Sequence, residues 1–183
     1  MAASTSEEVE MFRTLLKFRT VTAEGPRGSY AACVGWLTGQ CEAAGLSTEV
    51  VEPVAGKPIL VATLLGTEPE LPCVILNSHY DVVPADEAHW DVDPWAAVVT
   101  EEDGGRIYGR GTQDMKCVCA QYLLALQVRG SPRGSSRRRC VIASGKALAG
   151  WLSCSACNVG HRDWCRAVCV CFSQHTHTPR GGD

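Results

Sequence analysis

Two segments near the N-terminus carry apolar residues at helical spacing. The first begins with a capping box, Thr5 with Glu8, and continues to about Phe18. The second runs from about 29 to 44 and stops before Gly45, which is placed to end the helix in the left-handed conformation. The pattern therefore predicts two amphipathic helices that pack on a sheet.

Strand-like patterns follow. Residues 48–52 alternate between apolar and polar, which predicts an edge or half-exposed strand. Residues 59–65 and 73–76 are continuously apolar, as expected of strands covered on both faces. A further helix is predicted over 115–128. Helices flanking such strands are typical of a three-layer α/β domain.

Polar side chains with metal-binding chemistry lie where these elements stop. His79 and Asp81 follow the third strand and, being two residues apart, point the same way at its carboxyl end. Asp114 follows a glycine-containing turn and precedes the next helix. Imidazole and carboxylate are both good Zn²⁺ ligands, so a zinc site is one interpretation. A surface polar cluster is the other, because a His-x-Asp spacing alone is a weak signal.

Several spaced motifs in one order make the signal more specific, and they run from about residue 7 to residue 128. The sequence here resembles the co-catalytic zinc aminoacylase and carboxypeptidase family. The motifs that carry the resemblance are Asn77–Pro84, His89-Trp90, Asp93-Pro94-Trp95, Ile107–Gly111 and Asp114–Val118.

The resemblance implies specific roles for three residues. His79 would bind one zinc ion, Asp81 would act in catalysis by orienting and polarising His79, and Asp114 would bridge two zinc ions. It also implies a three-layer zinc-peptidase-like sandwich that hydrolyses the amide bond of N-acyl-L-amino acids. The zinc ions would lower the pKa of a bridging water and a glutamate would take its proton. The resemblance also implies homodimers formed through an inserted lid domain, which we do not expect in this sequence.

Charge divides the chain into two unlike parts. Residues 1–128 contain 8 Lys and Arg against 18 Asp and Glu, whereas residues 129–183 contain 9 against 2. Six of the eleven cysteines also lie in the second part. We therefore expect residues 1–128 to be the N-terminal part of the catalytic domain. Residues 129–183 are expected to be a divergent basic, cysteine-rich and irregular tail, not an independent domain.

The family's glutamate pair is missing from the place where it should occur. Residues 140–143 are an apolar remnant of the strand that precedes it, but Ser144-Gly145-Lys146-Ala147 follows, and the chain has no glutamate after Glu102. The metal site is therefore expected to be incomplete, and the chain to be a truncated form with low or no activity. An altered reading frame or a retained intervening sequence would explain the tail.

An alternative function rests on the tail itself. Cys154-x-x-Cys157, with Cys165 and Cys169, has the ligand types of a zinc module, although the spacing is a loose fit. The arginines at 137–139 have the charge to contact nucleic acid, but no aromatic platform accompanies them. A zinc- or nucleic-acid-binding adaptor is thus the second hypothesis, with nucleic acid the weaker partner.

No signal peptide is apparent, and no eighteen apolar residues stand together. We expect a cytoplasmic protein with reduced thiols and no membrane partner. Three other polar residues have simple expected roles. His89 is expected to be structural or exposed, Arg110 to lie on the surface or a sheet edge, and Lys116 to contact solvent or a pairing partner.

Overall fold

The computed structural model describes residues 6–68, 71, 74–101, 105–129, 140–141 and 167–173. Three α-helices are present: α1 (Glu7–Lys17), α2 (Tyr30–Ala43) and α3 (Lys116–Arg129). Short 3₁₀ helices occupy Thr22–Arg27 and Glu87–His89. The strands are β1 (Ser47–Val54), β2 (Lys57–Leu65), β3 (Val74–His79), β4 (Val98–Thr100), β5 (Arg106–Tyr108), β6 (Cys140–Val141) and β7 (Ala167–Ser173).

Five of these strands form one mixed sheet. β1 pairs antiparallel with β2, with Ser47 opposite Thr63. Both β6 and β7 pair antiparallel with β2 and parallel with β3. β4 and β5 form a separate antiparallel pair. Residues 129–183 thus contribute two strands beside β3, while the remainder of that segment lies outside the described residues.

The ends of the first two helices follow from local chemistry. The N-cap of α1 is Ser6, whose hydroxyl accepts a hydrogen bond from the amide of Val9 at 3.4 Å. The predicted cap, Thr5, lies outside the described residues. After α2, Gly45 adopts a φ of +78° and the amide of Leu46 donates to the carbonyl of Cys41 at 3.0 Å. The predicted left-handed cap is confirmed, since glycine has no steric penalty in that region.

One hydrophobic core joins all three helices to one face of the sheet. Its buried members come from α1, α2, β2, α3 and the residues after α2 and β3, and include Leu15, Leu37, Leu60, Tyr80 and Leu123. On the other face of β2, Ile59 packs with Val51 and Val61 in a small separate cluster. The predicted α/β class is confirmed, and the described residues supply two of the three expected layers.

No helix in the described part of the chain is both long and apolar enough to cross a membrane. Cys33 and Cys41 are buried free thiols on α2. Burial raises the pKa of each thiol to about 12. These two cysteines therefore behave as small apolar core residues.

Candidate metal centre

His79 is the last residue of β3, and its position follows from the strand before it. Both His79 and Asp81 are buried, with 9% and 1% of their surfaces exposed. The backbone beyond the strand is fixed by a neighbouring segment, because Val82 donates to Thr20 and accepts from Thr22, each at 2.9 Å. The polar residues at the end of the strand thus sit in a rigid frame.

One ring nitrogen of His79 faces Asp81. Nδ1 lies 3.0 Å from the Asp81 carbonyl oxygen and 3.2 Å from its Oδ1. The other carboxylate oxygen, Oδ2, accepts a hydrogen bond from the hydroxyl of Thr22 at 3.0 Å. With two acceptors at Nδ1, a neutral ring that carries its proton there would keep Nε2 as the atom able to bind a metal.

The second ring nitrogen faces Asp114, which arrives from a different segment. Nε2 lies 3.1 Å from Asp114 Oδ1, and the Asp114 side chain is 84% exposed. Gly111 permits this approach. It has a φ of +92°, and a Cβ there would lie only 2.9 Å from the Val82 side chain. Asp114 lies two residues before the start of α3, and a carboxylate near a helix N-terminus is favoured.

The protonation of His79 reflects opposing influences. Burial is the largest of them and lowers its pKa. Hydrogen bonds to Asp81 and the negative charges of Asp81 and Asp114 act the other way, and together they leave the pKa of His79 raised. A site that attracts a proton between two carboxylates also attracts a cation.

The side chains near His79 provide some of the ligands that a metal ion needs. An imidazole nitrogen and an exposed carboxylate face each other, and both are zinc ligands. Within the described residues, however, no group of three or more His, Cys, Asp and Glu side chains comes together. The predicted convergence of His79, Asp81 and Asp114 is therefore present, whereas their predicted roles remain predictions.

Lys116 differs from its expected role. Its side chain is fully buried and donates to the carbonyls of Leu15 and Phe18, at 3.1 and 2.6 Å. Burial, the largest influence, lowers the pKa of Lys116 to about 8. The ammonium group thus satisfies carbonyls at the end of α1 and ties that helix to the turn carrying Asp114.

A cavity of about 810 Å³ opens beside His79 and Asp114. Trp90, Lys57 and Arg110 are among its lining residues. Arg110, expected on the surface or at a sheet edge, is half-buried and contributes to the lining of this cavity. Sequence spacing gave no signal for it, since the contacts join separate loops.

His89 behaves as expected. Its side chain is 82% exposed and pairs with Asp86, Nδ1 to Oδ2, at 2.8 Å. Among the tail cysteines considered as zinc ligands, Cys154, Cys157 and Cys165 lie outside the described residues. Cys169 belongs to β7.

Solved structures of known proteins share this architecture. An M20 family metallo-carboxypeptidase from Sulfolobus solfataricus matches 92% of this chain and 31% of its own, with a TM-score of 0.63 and 19% identity. Human carnosine dipeptidase 1 matches 70% of this chain and 29% of its own, with a TM-score of 0.60 and 24% identity. The class of protein is therefore one with the fold of the M20 metallopeptidases.

Sequence comparison shows which proteins this chain is similar to. Residues 75–142 match the model of peptidase family M20/M25/M40. The chain is similar to aminoacylase-1 from Sus scrofa, at 44% identity over 119 residues. That match covers 65% of this chain and 28% of the relative, so the chain spans less than a third of the aminoacylase's length.

Proposed function

We propose that this chain derives from a zinc-dependent hydrolase acting on the amide bond of N-acyl-L-amino acids. The observation that carries the proposal is His79, held between a buried and an exposed carboxylate at the end of β3. The similarity to aminoacylase-1 supports the substrate class, an N-acyl amino acid. By the same resemblance, we infer a cytoplasmic protein whose complete relatives form homodimers.

Each of the three residues has a distinct part in this proposal. His79, through Nε2, and Asp114 hold zinc, of which the resemblance implies two ions per site. Asp81 keeps the proton on Nδ1 and is itself held by the hydroxyl of Thr22. When bound, zinc supplies a Lewis acid for the amide carbonyl and lowers the pKa of water.

We further propose that the chain as given has low activity. The sequence after β6 contains no glutamate to serve as general base. Loss of a general base typically reduces the rate by about 10²–10⁴-fold. Among the described residues only His79 and Asp114 face each other as ligands, and two ligands hold zinc less firmly than a complete shell.

Hydrolysis of an N-acetyl-L-amino acid by the purified chain with added Zn²⁺ tests the proposal. We expect turnover at least about 100-fold below that of aminoacylase-1. The residual turnover should be lost in His79→Ala and retained in His89→Ala, the matched exposed histidine. Turnover near that of aminoacylase-1, abolished by His79→Ala, would show that low activity is wrong. Equal turnover in both variants would show that the site is wrong.

A further inference from the structure

The described part of the chain contains two arginine–tryptophan stacks, and the residues of one of them line the cavity beside the candidate metal centre. The Arg19 guanidinium carbon lies 4.6 Å from the ring centroid of Trp95. The Arg110 guanidinium carbon lies 5.2 Å from the ring centroid of Trp90. Both distances are within the range of cation–π attraction, so each guanidinium has a fixed aromatic support.

The two arginines differ in their acidic partners. Arg19 forms ion pairs with Glu24 at 2.8 Å and with Glu87 at 2.9 Å. Within the part of the chain that the structure describes, the Arg110 guanidinium has no ion pair or hydrogen bond. Its Nε is buried without an acceptor. The terminal nitrogens are therefore the donors left for a bound acceptor, which would give this charged group a partner.

The position of Arg110 places these unused donors beside the candidate metal centre. Arg110 and Trp90 line the same cavity as His79 and Asp114. The backbone at Arg110 is held in place, because its amide donates to the carbonyl of Pro94 at 2.8 Å. The side chain is thus supported by an aromatic ring and a fixed backbone, which is the preorganisation that favours binding.

We propose that Arg110, supported by Trp90, is an anion-binding residue of the cavity and takes a carboxylate group of the ligand. The planar guanidinium presents its two terminal nitrogens as parallel donors, which match the two oxygens of a carboxylate. The identification of this group as the free carboxylate of an N-acyl amino acid rests on the proposed function. The preference of the cavity for a carboxylate is independent of the proposed function.

A matched pair of ligands tests the proposal without requiring turnover. N-acetylglycine and N-acetylglycinamide differ only in a carboxylate against a neutral amide. Their affinities are measured by isothermal titration calorimetry on the full chain, dialysed free of metal and chelator. We expect wild type to prefer N-acetylglycine by about tenfold or more, as for a charge-assisted hydrogen-bonded pair.

The variants assign that preference to one side chain. Arg110→Gln should abolish it, Arg110→Lys should retain part of it, and Arg19→Gln should keep it, since Arg19 already has two glutamate partners. Circular dichroism confirms that each variant is folded. The proposal would be overturned if wild type showed no preference for N-acetylglycine, or if Arg110→Gln kept the full preference. It would also be overturned if Arg19→Gln lost the preference as completely as Arg110→Gln. Failure to hydrolyse substrate bears only on the proposed function.

Discussion

The described part of the chain includes a buried and a surface histidine–aspartate pair, which have the same chemical groups and opposite surroundings. In the buried pair, the side chains of His79 and Asp81 are 11% and 2% exposed. In the surface pair, those of His89 and Asp86 are 82% and 70% exposed. The surface contact is the shorter of the two, at 2.8 Å against 3.2 Å. Contact distance alone therefore does not distinguish a candidate metal ligand from a surface ion pair.

The two histidines differ in the groups that surround them. His79 has a second carboxylate, Asp114, on its other ring nitrogen, and its first carboxylate is held by Thr22. His89 has only the carboxylate of its own 3₁₀ helix, three residues away. Water screens the surface pair, whereas the buried pair lies in a lower dielectric where charges act more strongly. The comparison predicts that substitutions at the two pairs have unequal effects.

The largest difference is expected in zinc affinity. His79→Ala removes the imidazole ligand and should lower affinity by more than the roughly 10–100-fold that loss of a supporting residue costs. His89→Ala should leave affinity unchanged. Competition with a zinc-binding dye measures both. The adaptor hypothesis predicts the reverse pattern, with zinc binding that survives His79→Ala and is lost on Cys154→Ser.

A smaller difference is expected between the two aspartates. Asp81→Asn removes the negative charge that fixes the tautomer of His79, so zinc affinity should fall by roughly 10–100-fold. Asp86→Asn, the matched change at the surface pair, should have no measurable effect. The same dye competition applies, with a thermal melt as a folding control. Equal affinities for the two variants would remove the distinction between the pairs.

Sequence patterns predicted part of this site correctly. The apolar run of β3 and the two-residue spacing placed His79 and Asp81 together, because strand geometry is local. The approach of Asp114, 35 residues later, came from the resemblance and from its place before α3. The α/β class likewise followed from periodicity and turn residues.

The contacts that support the site could not be predicted in the same way. Thr22 begins a short 3₁₀ helix whose sequence has no apolar periodicity, and it meets Asp81 across 59 residues. Lys116 is an isolated lysine at the start of α3, and its acceptors at the end of α1 are 98 and 101 residues away. Neither contact leaves a local pattern, because each depends on how helices and loops pack. A lysine within an otherwise apolar helix was the one available signal.

The smallest effect expected is on stability as pH changes, measured on metal-free protein. Although burial, the first influence, lowers the pKa of His79, the hydrogen bonds and charges of Asp81 and Asp114 leave it raised in the folded state. His79 therefore adds stability that is fully present below its unfolded pKa, about 6.5. That contribution is lost as pH rises through the folded pKa, because the folded state then binds no extra proton. The free energy of unfolding of wild type should thus fall, relative to that of His79→Gln, as pH rises through this window.

Urea denaturation at a series of pH values measures this difference. Asp114→Asn removes one of the charges that raise the pKa of His79 in the folded state. The pH range between the unfolded and folded pKa values of His79 should therefore be narrower in this variant than in wild type. Asp81→Asn removes the charged acceptor of the buried hydrogen bond, which raises the pKa of His79 more than the Asp114 charge does. The pH range over which stability is lost should therefore narrow further in this variant. If the free energy of unfolding of wild type instead rose with pH relative to that of His79→Gln, burial would have a larger influence on the pKa of His79 than both carboxylates. The buried pair would then favour a neutral ring even without a metal.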